Sequence, residues 1–331
     1  MRYTTLPGTD LRVSVIAMGS WALAGDMAWG DQSEVDSVAA ARAAVDAGIN
    51  FFDSAPGYGD GLSERRLGQG LLGLRDKVVI ATKIGPDALR SGAVEASVER
   101  SLGHLCTDYV DLIQIHWPSR EVPIEETWSA LERLREQGKV RAIGVSNFGP
   151  QDLRDVARVG RPVANQLPYS LLARAIEYEI APACAERGVG ILCYSPLLWG
   201  LLAGSYANAD EVPDGRARSR HFSPKRKLIR HTEAGCEQET FEALGEVRRI
   251  AAEHQVTMSD LAVAWLLHQP GVTGVLTGIR KPAQAFANAK AADVKLDAAT
   301  LAELDAVTAK VKSALGANPD LWQSGSSSRY R

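Results

Sequence analysis

The chain has 331 residues, is 45% hydrophobic and carries a formal charge of −3. That balance leaves no basic footprint of the kind nucleic acid selects, and the length allows either two domains or one large α/β barrel. Four cysteines (Cys106, Cys184, Cys193, Cys236) form no C-x-x-C pair, which fits buried thiols in a reducing compartment better than a disulfide framework.

In chain order, "RYTTL" (2–6) and "LRVSV" (11–15) flank Pro7-Gly8-Thr9-Asp10 and predict a short hairpin. Eight further strands are expected at 15–18, 50–53, 78–82, 108–116, 140–146, 162–166, 189–195 and 273–278, each a β-branched or apolar run. Helical patterns lie between them, among them 33–48, 97–105, 124–138 and 177–188, with Ser33 as a cap and Gly48 as a stop for the first. Strands alternating with helices predict a parallel sheet, and eight such units predict a (β/α)₈ barrel forming one domain over 1–331. Two segments exceed the minimal barrel: a long insertion after the seventh strand, about 197–237, and an extra C-terminal helix with a tail at 314–331 whose composition suits a flexible segment. The N-terminus is charged too early for a leader peptide, and the uncharged stretch 189–209 holds Pro196 and three glycines, so a cytoplasmic protein with no membrane partner is expected.

Barrel enzymes keep their chemistry at the C-terminal ends of strands. Those ends deliver Asp53, Lys83, His116-Trp117, Ser146-Asn147, Asn165-Gln166 and Tyr194-Ser195, and "FFDSAPGYGDG" places Tyr58 in a glycine loop just past Asp53. Singly, each has a bland reading: a satisfied histidine, a solvated lysine, a loop aromatic. Together they suggest acid–base chemistry. A phenol has a pKa of about 10, and an ammonium beside it is expected to lower that value. Tyr58 then reads as general acid, Lys83 as its tuner, Asp53 as the anchor of Lys83, and His116 as the group that orients a carbonyl oxygen. "GQGLLG" (68–73) satisfies G-x-G-x-x-G but follows a helical run rather than a strand, so it is read as a decoy. The six histidines show no H-E-x-x-H spacing, and no metal site is expected. From Arg216 to His231 there are seven Lys or Arg and no acid; this is either a solvated face or a flap near phosphates.

The order and spacing of "FFDSAPGYGDGLSERRLG", "VVIATKIG", "DYVDLIQIHWP", "VRAIGVSNF", "NQLPYSLL", "YSPLLWGLLAG" and "GIRKPAQAFANAKA" resemble the aldo-keto reductases from residue 1 to about 313, and among them the bacterial stress-protein and inositol-locus types. The resemblance implies an NADP(H)-dependent barrel that reduces aldehydes and ketones, with Asp53, Tyr58, Lys83 and His116 as its tetrad. It also implies cofactor contacts at Ser20, Trp21, Asp53, Ser146, Asn147 and Gln166, at Tyr194, Ser195, Pro196, Leu197 and Trp199, and at Gly278, Arg280, Gln284 and Asn288. The substrate pocket is expected from Trp21, Trp29, Tyr58, His116 and Trp117, with Trp199 and Trp322 as further candidates. Ser205 and Ala287 stand where relatives carry a lysine and an acid, so a moderate grip on NADPH is expected. The resemblance extends to redox-sensing channel β-subunits and to aldose dehydrogenases running in the oxidative direction. A small-molecule carbonyl partner follows from the preferred reading; substrate identity and oligomeric state do not.

Overall fold

The computed structural model describes residues 1–26 and 28–331. Strands β1 (Tyr3–Thr5) and β2 (Arg12–Ser14) form the expected antiparallel hairpin. The next eight are β3 (Ile16–Gly19), β4 (Phe51–Asp53), β5 (Val79–Ile84), β6 (Val110–Ile115), β7 (Val140–Ser146), β8 (Ala164–Pro168), β9 (Gly190–Tyr194) and β10 (Val272–Gly278). They are all parallel and close into a barrel, β10 pairing with both β9 and β3. Helices cover its outside, as expected for a sheet buried on both faces. Ser33 caps the helix Glu34–Asp46, its side chain accepting from the Asp36 amide. The helix expected at 97–105 begins earlier, at Ser91, and that expected at 177–188 is a short 3₁₀ turn followed by Ile180–Glu186. The glycines of "GQGLLG" begin inside and end just beyond the helix Leu62–Leu71, with no strand leading into them.

Strand alternation explains where the polar residues lie. Ala17, Phe51, Ala81, Leu112, Ala142, Ala164, Leu192 and Leu276 fill the barrel interior, and Leu6, Leu11 and Val13 of the hairpin region belong to the same apolar cluster. Two residues further along the strands, on the same inward side, come Asp53, Lys83, Gln114, Gly144, Gln166 and Tyr194. The barrel is thus an apolar plug with a polar layer on top. Gly144 is the thin point of that layer: a Cβ there would lie 3.2 Å from the Ala164 carbonyl and 3.3 Å from Gln114 Cγ.

The insertion and the tail meet above that polar layer. The Arg220 amide donates to the Leu321 carbonyl at 2.7 Å, and its guanidinium reaches the carbonyls of Leu315 and Asn318. The Thr232 amide donates to Ser324 Oγ. The tail then crosses to the other side of the mouth, where Arg331 pairs with Asp152 and Asp155. Among the described residues no helix is long and apolar enough to cross a membrane.

Candidate active site

Loop geometry turns Tyr58 back over the barrel. Gly59, Asp60 and Gly61 all have left-handed backbones (φ 60°, 50° and 75°), a run that bends the chain sharply. A Cβ on Gly59 would also lie 2.7 Å from Ala24 Cβ, so only glycine fits between loop and helix. The phenol ends 3.4 Å from Lys83 Nζ, which donates to Asp53 Oδ1 at 2.5 Å and to the Ser54 carbonyl at 2.8 Å. Asp53 Oδ2 accepts from the side-chain amides of Gln114 at 2.9 Å and Gln166 at 2.8 Å. Three donors therefore fix one buried carboxylate. The rings of Tyr58 and His116 meet edge-on with centroids 6.0 Å apart, and Trp21 stands 6.2 Å from Tyr58.

Burial dominates the electrostatics. It raises the Tyr58 pKa above the ordinary phenol value; Lys83 pulls it down and Asp53 pushes it up, and the balance stays upward. Lys83 acts in the expected direction, but the expected net lowering does not follow, because its pull is smaller than the desolvation of a phenolate in this site. Burial opposes the charge on Lys83 too, but Asp53 and then Tyr58 outweigh it, and the ammonium is held above its usual range. His116 is pushed down to about 3 by burial, then by Lys83 and Arg329, so its imidazole is neutral at physiological pH. The site therefore offers a protonated phenol and a neutral imidazole, both able to hydrogen-bond a carbonyl oxygen.

Above these groups opens a cavity of about 540 Å³. Of the residues expected at the site, Ser20, Trp21, Trp29, Asp53, Tyr58, His116, Trp117, Ser146, Asn147, Gln166, Tyr194, Ser195, Pro196, Leu197, Trp199, Gly278, Arg280, Gln284 and Trp322 line it. Lys83 lies beneath the floor. Asn288 is not in the lining; its amide donates to the Gly278 carbonyl at 3.2 Å. Arg280 faces the cavity but is heavily engaged: it donates to the carbonyls of Trp29 at 2.6 Å and Asp31 at 2.5 Å and to Gln32 Oε1 at 2.9 Å. Arg216 holds the neighbouring Ala28 carbonyl at 2.8 Å. Two arginines thus tie down the segment after β3.

Part of the cavity wall has an unusual backbone. Ser195, Leu198 and Trp199 are non-glycine residues with φ of 53°, 41° and 52°, followed by Gly200 at 103°. These residues kink the chain, and the Leu198 and Gly200 amides donate to the Ser195 and Leu197 carbonyls at 3.0 Å each. The indole Nε1 of Trp199, buried at this wall, has no hydrogen-bond partner among the described residues.

Several site residues escaped the sequence reading. Gln114 had a signal, a lone amide inside the buried run "VDLIQI". Arg329 and Tyr330 had none: they lie in a Ser/Gly-rich tail, yet Arg329 stacks over Trp117 at 3.6 Å and Tyr330 donates to Asn147 Oδ1 at 2.5 Å, beside the bond from Tyr194 at 2.9 Å.

The fold and the polar layer at its mouth define a (β/α)₈-barrel enzyme. A profile of the Aldo/keto reductase family matches residues 15–309. The aldo-keto reductase YhdN of Bacillus subtilis is 38% identical over 86% of each chain. An NADH-specific methylglyoxal reductase of Escherichia coli is 32% identical over 89% of this chain and 95% of its own. A crystal structure of an aldo-keto reductase from Klebsiella pneumoniae in complex with NADPH superposes with a TM-score of 0.75 at 28% identity, covering 93% of this chain and 95% of that one. The chain belongs to the aldo/keto reductase family and is an oxidoreductase.

Proposed function

We propose that the protein reduces aldehydes and ketones to alcohols with NADPH, Tyr58 giving the proton. The observation that carries this reading is the buried stack Asp53–Lys83–Tyr58, with Lys83 Nζ 2.5 Å from the carboxylate and 3.4 Å from the phenol. The cofactor, when bound, supplies a hydride to the carbonyl carbon. The chain's own residues do the rest. Ser146, Asn147 and Gln166 line the wall where a carboxamide would lie, and Tyr194 provides an aromatic wall. The kinked wall at 195–200 with its unpartnered Trp199 indole suits a pyrophosphate, and Gln284, Arg280 and exposed Lys281 stand at the far end, where a helix begins. His116 and Tyr58 hold the substrate oxygen, so charge that develops there meets two fixed donors in a dry pocket. Tyr58, protonated through neutral pH, completes the alcohol.

A cytoplasmic setting suits four cysteines that are all free, three of them buried. The test is a panel of aldehydes and ketones incubated with NADPH and with NADH, followed by loss of the nicotinamide absorbance and by product analysis. Cofactor-dependent alcohol formation is expected. Tight cofactor binding with no turnover of any carbonyl would refute the reading.

A further inference from the structure

One side-chain amide in the cavity wall is fully committed to the protein itself. Asn147 is buried and has a left-handed backbone, φ 63°. Its Nδ2 donates to the His116 carbonyl at 3.0 Å and to Ser146 Oγ at 3.1 Å, while its Oδ1 accepts from the Tyr194 hydroxyl at 2.9 Å and from the Tyr330 hydroxyl at 2.5 Å. The His116 carbonyl can only accept, which fixes the way the amide is turned. Two N–H groups and two lone pairs are the whole capacity of a side-chain amide, and all four are taken. A carboxamide reaching this wall finds no free atom on Asn147. Asn147 acts instead by tying the ends of three strands together: β6 through the main chain of His116, β7 through Ser146 and β9 through the Tyr194 ring.

Tyr330 stands behind this hub. It is buried, does not line the cavity, and meets Trp117 edge-on with ring centroids 5.6 Å apart. A dock for the next residue keeps it there. The Arg331 amide and Nε donate to the two oxygens of buried Asp152 at 3.0 and 2.8 Å, and Nη2 donates to Asp155 at 3.0 Å. The Arg331 carbonyl accepts from the Gln151 amide at 2.7 Å. Gly149 makes room for this dock. Its φ of −80° is open to any residue, so its own backbone does not call for glycine. A Cβ there would collide with the Arg331 carbonyl oxygen and lie 2.7 Å from the Arg331 N and C. The missing side chain at 149 thus serves the tail, two residues from Asn147.

We propose that Tyr330 is a positioning residue for the nicotinamide end of the site: docked through Arg331 on Gly149 and Asp152, it fixes Asn147 and, through it, the Tyr194 ring and the main chain of His116. This rests on the reductase reading above, which sets a nicotinamide against Tyr194. Without the Tyr330 hydroxyl, a buried lone pair of Asn147 is left empty and the Tyr194 ring loses its fixed partner. The nicotinamide half of the cofactor then meets a looser wall, while the adenosine half, near Arg280, is untouched. Coupling of this kind is reciprocal, so a bound nicotinamide must also hold the tail more firmly in its dock.

The experiment titrates NADP⁺ and adenosine 2′,5′-bisphosphate, which lacks the nicotinamide, against the wild-type protein, Tyr330→Phe and Gly149→Ala. A neutral hydrogen bond sets the scale: both variants should bind NADP⁺ about three- to tenfold more weakly and keep the bisphosphate within about twofold. The double variant should be no weaker than the worse single one, because both changes act through the same bond. The wild type gives a second measurement that needs no variant to fold. NADP⁺ should slow hydrogen exchange over residues 328–331 about threefold or more, and saturating bisphosphate should not. Equal effects of the two ligands on that exchange, or variants that weaken both ligands alike or neither, would overturn the proposal; reduction of aldehydes by the wild type would leave the reductase reading standing. A wild type that binds the bisphosphate no less tightly than NADP⁺ and reduces no carbonyl would overturn both.

Discussion

Replacing Tyr58 with phenylalanine removes one oxygen from the centre of the site. That hydroxyl meets Lys83 Nζ at 3.4 Å, a long contact, while Lys83 keeps Asp53 and the Ser54 carbonyl at 2.5 and 2.8 Å. The ring retains Trp21 and His116 as neighbours at 6.2 and 6.0 Å. The cost in stability should therefore stay within about 1 kcal/mol, the worth of an ordinary hydrogen bond. The cost in rate is much larger. General acid catalysis contributes about 10²–10⁴-fold, or roughly 2.7–5.5 kcal/mol of barrier. Single-turnover reduction of a pre-bound aldehyde isolates that step from cofactor release. Fluorescence titration of NADPH checks that binding survives. Because burial holds the Tyr58 pKa above its ordinary value of 10, the wild-type rate should be level from pH 6 to 9 and fall only in more alkaline solution. A variant that binds NADPH and reduces the aldehyde within threefold of the wild-type rate would remove Tyr58 from the mechanism.

Lys83→Met leaves Asp53 buried with only Gln114 and Gln166 as donors, and breaking a buried pair in this way costs about 3–5 kcal/mol. The folded pKa of Lys83 is raised, so the pair's contribution is complete below about 10.5 and is lost as pH rises beyond it; denaturant melts should separate wild type and variant at pH 7 and bring them closer above pH 11. An equal midpoint at pH 7 would contradict the pairing. His116 and His221 are held down to about 3 and about 4, so the unfolded chain takes up protons near pH 6.5 that the folded chain refuses. Stability should fall as pH drops from 6.5 toward 4, by about 1.4 kcal/mol per pH unit for each histidine, and a flat stability curve between pH 6.5 and 5 would refute this. Since Arg280 is engaged by residues 29–32, a 2′-phosphate must compete for it; the preference for NADPH over NADH should be moderate, about tenfold or less, and a thousandfold preference in paired titrations would show that those contacts are released.

Much of this was legible because a strand repeats every two residues. "FFD", "ATK" and "LIQIH" show apolar runs ending in groups that a plain core would not keep, and that placed Asp53, Lys83 and His116 on one rim. The glycines around Tyr58 marked a turn, though not that Gly59 must also clear Ala24. What stayed hidden depends on distance along the chain. Nothing near Arg280 announces that its acceptors lie some 250 residues earlier, and nothing near Tyr330 points to Asn147, 183 residues away. The direction of the Tyr58 shift was misjudged for a related reason: sequence names the charged neighbour, while burial, the larger influence, emerges only when the barrel closes around both.

The underside of the phenol is sealed. Lys83 and Gln114 are fully buried, Asp53 and Gln166 are 2% exposed, and below them Phe51, Leu112 and Leu192 fill the barrel. If Tyr58 gives the proton as proposed, it is not replaced from that direction, because apolar side chains fill the plug and both oxygens of Asp53 are already taken by three donors. On the proposed reading, every proton consumed arrives through the same opening as the carbonyl compound, after the alcohol has made room for water. Refuelling the acid and emptying the pocket are therefore one event in each cycle, and a tightly held alcohol would stall both.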